Sequence, residues 1–124
     1  MKDILIVDDD KNMEDIYRHF FCDVTDKYTI DIVCDARIAY KRAMEKTYDL
    51  IILDIIMEPL DGEEFYACYK NEAEKIDQPI LVCSVIDPTE IGYMKKYGRV
   101  GFLKKPIAKK QLLRKIDRIL KGSS

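Results

Sequence analysis

With 124 residues, 48% of them hydrophobic and 35% charged, the chain has the size and balance of one globular domain that can bury a core. No apolar run reaches the roughly 18 residues of a membrane-spanning helix, and no nucleic-acid recognition motif accompanies the lysines of a chain whose formal net charge is -2. Met1-Lys2-Asp3 runs straight into a strand pattern, so no signal peptide and a cytoplasmic location are expected.

Two kinds of segment alternate along the chain. Asp3–Val7 is a short β-branched apolar run, and "NMEDIYRHFF" after it places Met13, Ile16, Tyr17 and Phe20 at helical spacing. Tyr28–Val33 reads as a second strand and Ala36–Lys46 as a second helix. Asp49–Asp54 is a strand whose unbroken apolar pattern implies burial on both faces. A third helix is expected to begin near Gly62, carrying Phe65, Cys68 and Tyr69. Pro79–Ser84 is the fourth strand, and Pro88 suits the first turn of a fourth helix that Gly98 would stop. "VGFLK" is the fifth strand, and the last helix lines up Leu112, Leu113, Ile116, Ile119 and Leu120. Five βα units with short connections predict an α/β fold, a flavodoxin-like (βα)5 doubly wound parallel sheet in strand order 2-1-3-4-5. One domain is expected over residues 1–121, with 122–124 as a flexible tail or the start of a linker.

Cys22, Cys34, Cys68 and Cys83 have no metal-ligand spacing and read as small buried residues rather than as a zinc site or disulfides. His19 reads as a surface or half-buried helix residue. From Ile91 onward eleven Lys or Arg stand against a single acid, Asp117, which reads first as a solvated basic face and second as a docking face for an acidic partner.

The polar residues that interrupt the strand pattern share one position. The first strand ends in Asp8, Asp9 and Asp10, the third in Asp54, the fourth in Ser84, and the fifth runs into Lys104 and Lys105. Ligands of open α/β sheets bind at that carboxyl edge, where the strand order reverses. Burying Asp54 among Leu50–Met57 costs several kcal/mol unless something compensates it. Carboxylates gathered there repel one another unless a proton or a cation intervenes, and an all-oxygen cluster suits a hard divalent ion such as Mg²⁺. With the lysine and the hydroxyl added, the set suits a phosphoryl group, and Asp54 reads as a nucleophile beside the metal.

The stretches "LIVDD" (Leu5–Asp9), "DLIILDIIMEPLDG" (Asp49–Gly62), "PILVCS" (Pro79–Ser84) and "GRVGFLKKPI" (Gly98–Ile107) together resemble the receiver domain of bacterial response regulators, the two-component signalling family. The resemblance covers essentially the whole chain. It implies that Asp54 accepts a phosphoryl group from a sensor histidine kinase or a histidine phosphotransfer protein. Asp9 would bind Mg²⁺ directly, with Mn²⁺ able to substitute; Asp8 would help through water, and Asp54 and the main-chain carbonyl of Ile56 would complete the site. Lys105 and Ser84 would contact the phosphoryl group, and Phe102 would follow Ser84 as the switch aromatic. The Lys105–Pro106 bond would be cis. The face of the fourth helix, fifth strand and fifth helix, with Tyr93, Lys95, Lys96, Arg99 and Lys104, would report the change to an output protein or fused output domain, and is where a homodimer would form. Such a domain is a phosphoacceptor with self-catalysed transfer and autodephosphorylation rather than an enzyme, and contacts neither membrane nor nucleic acid directly.

Three departures from the family pattern stand out. Pro59 falls one place late in the loop, with Glu58 before it reading as an exposed loop acid. Val85 replaces a small residue. Ile56 and Ile86 stand two positions beyond Asp54 and Ser84, where polar residues could orient a hydrolytic water, so slow self-dephosphorylation is expected. A haloacid dehalogenase-type phosphatase using Asp8 and Asp10 is the alternative, weakened by Lys11 and Asn12 in its signature positions and by the absence of a cap domain. A flavodoxin would need a hydroxyl- and glycine-rich phosphate loop where this chain has "DDDKNMED". Asp10 itself reads as the cap of the first helix.

Overall fold

A computed structural model describes residues 1–54, 79–91 and 100–121. The strands β1 (Lys2–Val7), β2 (Tyr28–Val33), β3 (Leu50–Leu53), β4 (Ile80–Ser84) and β5 (Val100–Lys104) form one sheet in the order β2-β1-β3-β4-β5, every pair parallel. Helices α1 (Lys11–Phe21), α2 (Ala36–Glu45), α3 (Pro88–Ile91) and α4 (Lys109–Leu120) are described with it. The helix expected near Gly62, Cys68, the stop at Gly98 and the tail 122–124 lie outside the described residues.

Alternation along the central strands supplies both sides of the sheet, because successive side chains point to opposite faces. Leu5, Val7, Ile51, Leu53, Ile80 and Val82 join Ala39, Ala43 and Tyr48 in one core. Ile4, Ile6, Leu50, Ile52, Leu81 and Cys83 join Tyr17, Phe21, Leu112 and Ile116 in the other. The doubly wound layering follows, since each face needs its own helical cover.

The helix starts are marked by side chains. The Asp10 carboxylate accepts from the Asn12 N–H at 2.9 Å, and that of Asp35 accepts from the Arg37 N–H at 2.8 Å, each satisfying a backbone donor that the first turn leaves open. The buried stripe of α1 differs from the expected one: Tyr17 and Phe21, one turn apart, are buried, whereas Ile16 is 39% exposed. A 3.6-residue period carries Ile16 off the stripe that Tyr17 and Phe21 define. The cysteines also divide: Cys83 is buried in β4 and Cys34 is half-buried, but Cys22 is exposed, because it ends α1 at the turn instead of facing a core. All three are free thiols.

Candidate functional site

Register brings the site together. Val7 of β1 lies opposite Leu53 of β3, so the residues that follow them, Asp8 and Asp54, leave the sheet side by side. The Asp54 N–H donates to the Val7 carbonyl at 2.9 Å, and the Asp8 N–H to the Val33 carbonyl at 3.1 Å. One strand further, Val82 is opposite Leu53 and Phe102, and Ser84 is opposite Lys104. The Lys105 N–H donates to the Ser84 carbonyl at 2.7 Å, which fixes where the lysine side chain departs. The Lys105–Pro106 bond is cis.

Asp8 is 1% exposed, Asp54 9% and Ser84 1%, a burial that ionised carboxylates tolerate only with partners. One partner is Lys105, whose Nζ donates to Asp8 Oδ2 at 2.8 Å and to Asp54 Oδ2 at 3.1 Å. Burial alone would lower the affinity of that ammonium for its proton, but the bond to Asp8 and the charges of Asp8 and Asp54 outweigh it and raise its pKa. The other oxygen of Asp8 accepts the Asp10 N–H at 3.0 Å, tying the carboxylate to the start of α1. Carboxylate oxygens of Asp8, Asp9 and Asp54 lie within 4.8 Å of one another, an all-oxygen set of the size and hardness that fits Mg²⁺. Asp9 is exposed, leaving the set open to solvent on that side. The Ser84 hydroxyl accepts the Ile86 N–H at 3.3 Å.

The residues expected at one edge therefore meet there: Asp8, Asp9, Asp54 and Lys105 directly, with Ser84 on the neighbouring strand end. Phe102 is half-buried and packs with Ile86 and Val100 against the core on the α2 side. Asp10 stands apart as the cap of α1, exposed and outside the cluster. Val85 is 63% exposed. The Ile56 carbonyl and Glu58 lie outside the described residues, as do Tyr93, Lys95, Lys96 and Arg99.

Sequence reasoning missed what lies beneath the cluster. Tyr17, 1% exposed, brings its phenol against the Cys83 thiol, one residue before Ser84. Burial first, then the neighbouring Cys83, Asp8 and Asp54, hold the phenol protonated. Burial likewise pushes the thiol pKa up to about 12. A tyrosine on an otherwise apolar helix stripe was the available signal, since a buried phenol seeks a polar contact.

Residues 4–117 match the family model of the response regulator receiver domain. Response regulator ArlR of Staphylococcus epidermidis is 31% identical over 126 residues, covering 98% of this chain and 53% of its own length, so the chain spans about half of that relative. Among solved structures, the chemotaxis response regulator CheY4 of Vibrio cholerae superposes with a TM-score of 0.85 at 28% identity, covering 96% of this chain and 98% of its own. The fold is shared too by response regulator TrrA of Thermotoga maritima, solved in complex with Mg²⁺ and BeF, with a TM-score of 0.81 at 24% identity and coverage of 96% and 99%. A match that runs from the first strand into the last helix, over a sheet of this topology, leaves no place for a phosphatase built on Asp8 and Asp10: the chain belongs to the receiver domains of two-component response regulators.

Proposed function

We propose that Asp54 is the phosphoacceptor of this receiver, that Asp8 and Asp9 with Asp54 hold Mg²⁺ or Mn²⁺, and that Lys105 and Ser84 receive the phosphoryl oxygens. The observation that carries the reading is the single ammonium of Lys105 shared between the buried carboxylates of Asp8 and Asp54. A carboxylate with no other task would not be kept at this depth. The Ile56 carbonyl completes the metal's protein ligands in this reading. When bound, the ion supplies positive charge that draws in the phosphoryl oxygens.

In the transfer, a carboxylate oxygen of Asp54 forms an O–P bond as the N–P bond of a donor phosphohistidine breaks, the electron pair leaving with the imidazole, which takes up a proton. Lys105 then exchanges its contact with Asp54 for one with the phosphoryl group, whose charge of about -1.5 to -2 attracts the ammonium more strongly than a single carboxylate does. Ser84 donates its hydroxyl to the same group, giving up the Ile86 N–H. Phe102 follows into the space this leaves, which biases a two-state equilibrium of the face formed by the helix beginning at Pro88, β5 and α4. Hydrolysis of the acyl phosphate resets the site, so the domain is modified and restored without turning over a separate substrate. The donor is a histidine kinase or phosphotransfer protein. The output is a separate protein or a domain joined to 1–121, and the same face serves any homodimer. These events belong in the cytoplasm; no helix among the described residues is long and apolar enough to cross a membrane.

The test is chemical labelling. Acetyl phosphate or phosphoramidate should add one phosphoryl group, seen by intact mass, in the presence of Mg²⁺ or Mn²⁺ and not in EDTA. Asp54→Asn should take up none. Efficient labelling of that variant at another residue overturns the assignment.

A further inference from the structure

At the amino edge of the sheet, the turn after α1 and the start of β2 face α4 across a groove. Two adjoining hollows of about 500 and 510 Å³ meet there at Tyr28. The floor of the second is apolar: Val24, Tyr28 and Leu113 are half-buried against the core on the α1 side, and the Tyr28 ring is held edge-on to Phe21 at 5.9 Å. Its rim is cationic. Lys27, Lys110 and Arg114 are exposed, and among the described residues none of the three forms an ion pair. Asp117, the one acid among the described residues that line the hollow, is tied to Lys121 at 3.0 Å. Lys110 and Arg114 are one helical turn apart and so share a face, with Leu113 beside them.

We propose that this groove docks an acidic peptide segment of a partner protein, its carboxylates on Lys27, Lys110 and Arg114 and one large apolar side chain on the floor made by Val24, Tyr28 and Leu113. Charge complementarity selects the sign of the partner, and the half-buried apolar floor selects its kind. A nucleic-acid backbone would use the cations and leave the floor against sugar and water. A lipid surface needs apolar side chains that project outward, whereas these are half-buried while the cations around them are exposed. A peptide uses both features, its apolar residue as the buried anchor and its acids as the rim contacts. The site is separate from the carboxylate cluster and does not depend on phosphorylation of Asp54.

The probe is a fluorescein-labelled peptide of alternating Glu and Ser with a central Leu-Phe pair, titrated with the full chain at low ionic strength and followed by anisotropy. Saturable binding is expected. It should weaken by about tenfold or more in the double variant Lys110→Glu with Arg114→Glu, and likewise when the Leu-Phe pair becomes Ser-Ser. Lys104→Glu, which reverses an exposed charge at the end of β5, and Asp54→Asn should bind as the parent does. If circular dichroism shows the double variant unfolded, Lys110→Gln with Arg114→Gln takes its place. Absence of saturable binding, undiminished binding by the folded double variant, equal affinity for the Ser-Ser peptide, or tighter binding of single-stranded DNA of equal charge each overturns the proposal.

Discussion

Lys105 balances two buried carboxylates with one charge, at 2.8 Å from Asp8 and 3.1 Å from Asp54. Breaking a buried ion pair from one side is more costly than exchanging the whole pair, because the remaining charge is stranded. Lys105→Met should therefore lower stability at pH 7 by about 2–4 kcal/mol in EDTA, read from urea unfolding. Mg²⁺ should restore part of it at pH 7. A variant as stable as the parent in EDTA would show that Lys105 is not the counter-charge of the cluster. Asp54, Ser84 and Lys105 were legible in the sequence because each is a polar residue where an apolar strand ends, and strand ends of a parallel sheet converge. The contact between Tyr17 and Cys83 was not, because hydrophobic periodicity marks which residues go inside but not which polar atoms meet there.

At the scale of elements, the seam between β5 and α4 depends on a missing side chain. A Cβ placed on Gly101 would lie 3.3 Å from Lys115 Cε and 3.4 Å from Ile119 Cδ1 and Leu81 Cδ1. These are ends of flexible side chains, which can give by a few tenths of an ångström, so Gly101→Ala should change stability by less than about 1 kcal/mol. Gly101→Val adds two further methyls against the same atoms and should cost about 1–3 kcal/mol. Thermal unfolding of the two variants checks the order; a valine variant as stable as the alanine one would mean that α4 moves freely from the sheet. The extents of β2 and β5 were legible to the residue, because Lys27 and Cys34-Asp35 flank the first run and Arg99 and Lys105 the second. The buried stripe of α1 was less so: Met13, Ile16, Tyr17, Phe20 and Phe21 offer two overlapping apolar faces, and only packing against the sheet decides between them.

The whole molecule should lose stability on the alkaline side. Burial raises the Cys83 thiol from the ordinary value near 9 to about 12. Between those limits the unfolded chain gives up a proton that the native state keeps, so stability falls as pH rises, by up to about 1.4 kcal/mol per pH unit for one such group. Lys105, also raised, adds to the fall only above its ordinary value of 10.5. Urea midpoints measured from pH 8.5 to 10.5 should decline, and Cys83→Ala should decline less steeply from its own starting point. Parallel slopes would assign the alkaline loss to other groups. The doubly wound architecture that shelters Cys83 was legible from the alternation of strand and helix patterns alone, since both faces of a buried parallel sheet must be covered.

β2 is the outermost strand of the sheet, and "YTIDIV" would otherwise be an adhesive edge, rich in β-branched and aromatic residues. Its centre holds Asp31, which accepts the buried Tyr48 hydroxyl at 2.7 Å and has Lys46 Nζ at 3.7 Å. One carboxylate thus serves the fold of a single molecule and places a charge in the middle of a sheet edge, where it should oppose pairing with a second edge. Asp31→Asn separates the two duties: the amide oxygen still accepts the Tyr48 hydroxyl, while the charge that repels a neighbouring edge is gone. Concentrated solutions of that variant should scatter light earlier on warming, with far-UV unfolding of dilute samples little changed. Solutions as clear as the parent's would place the protection against edge pairing elsewhere on the strand.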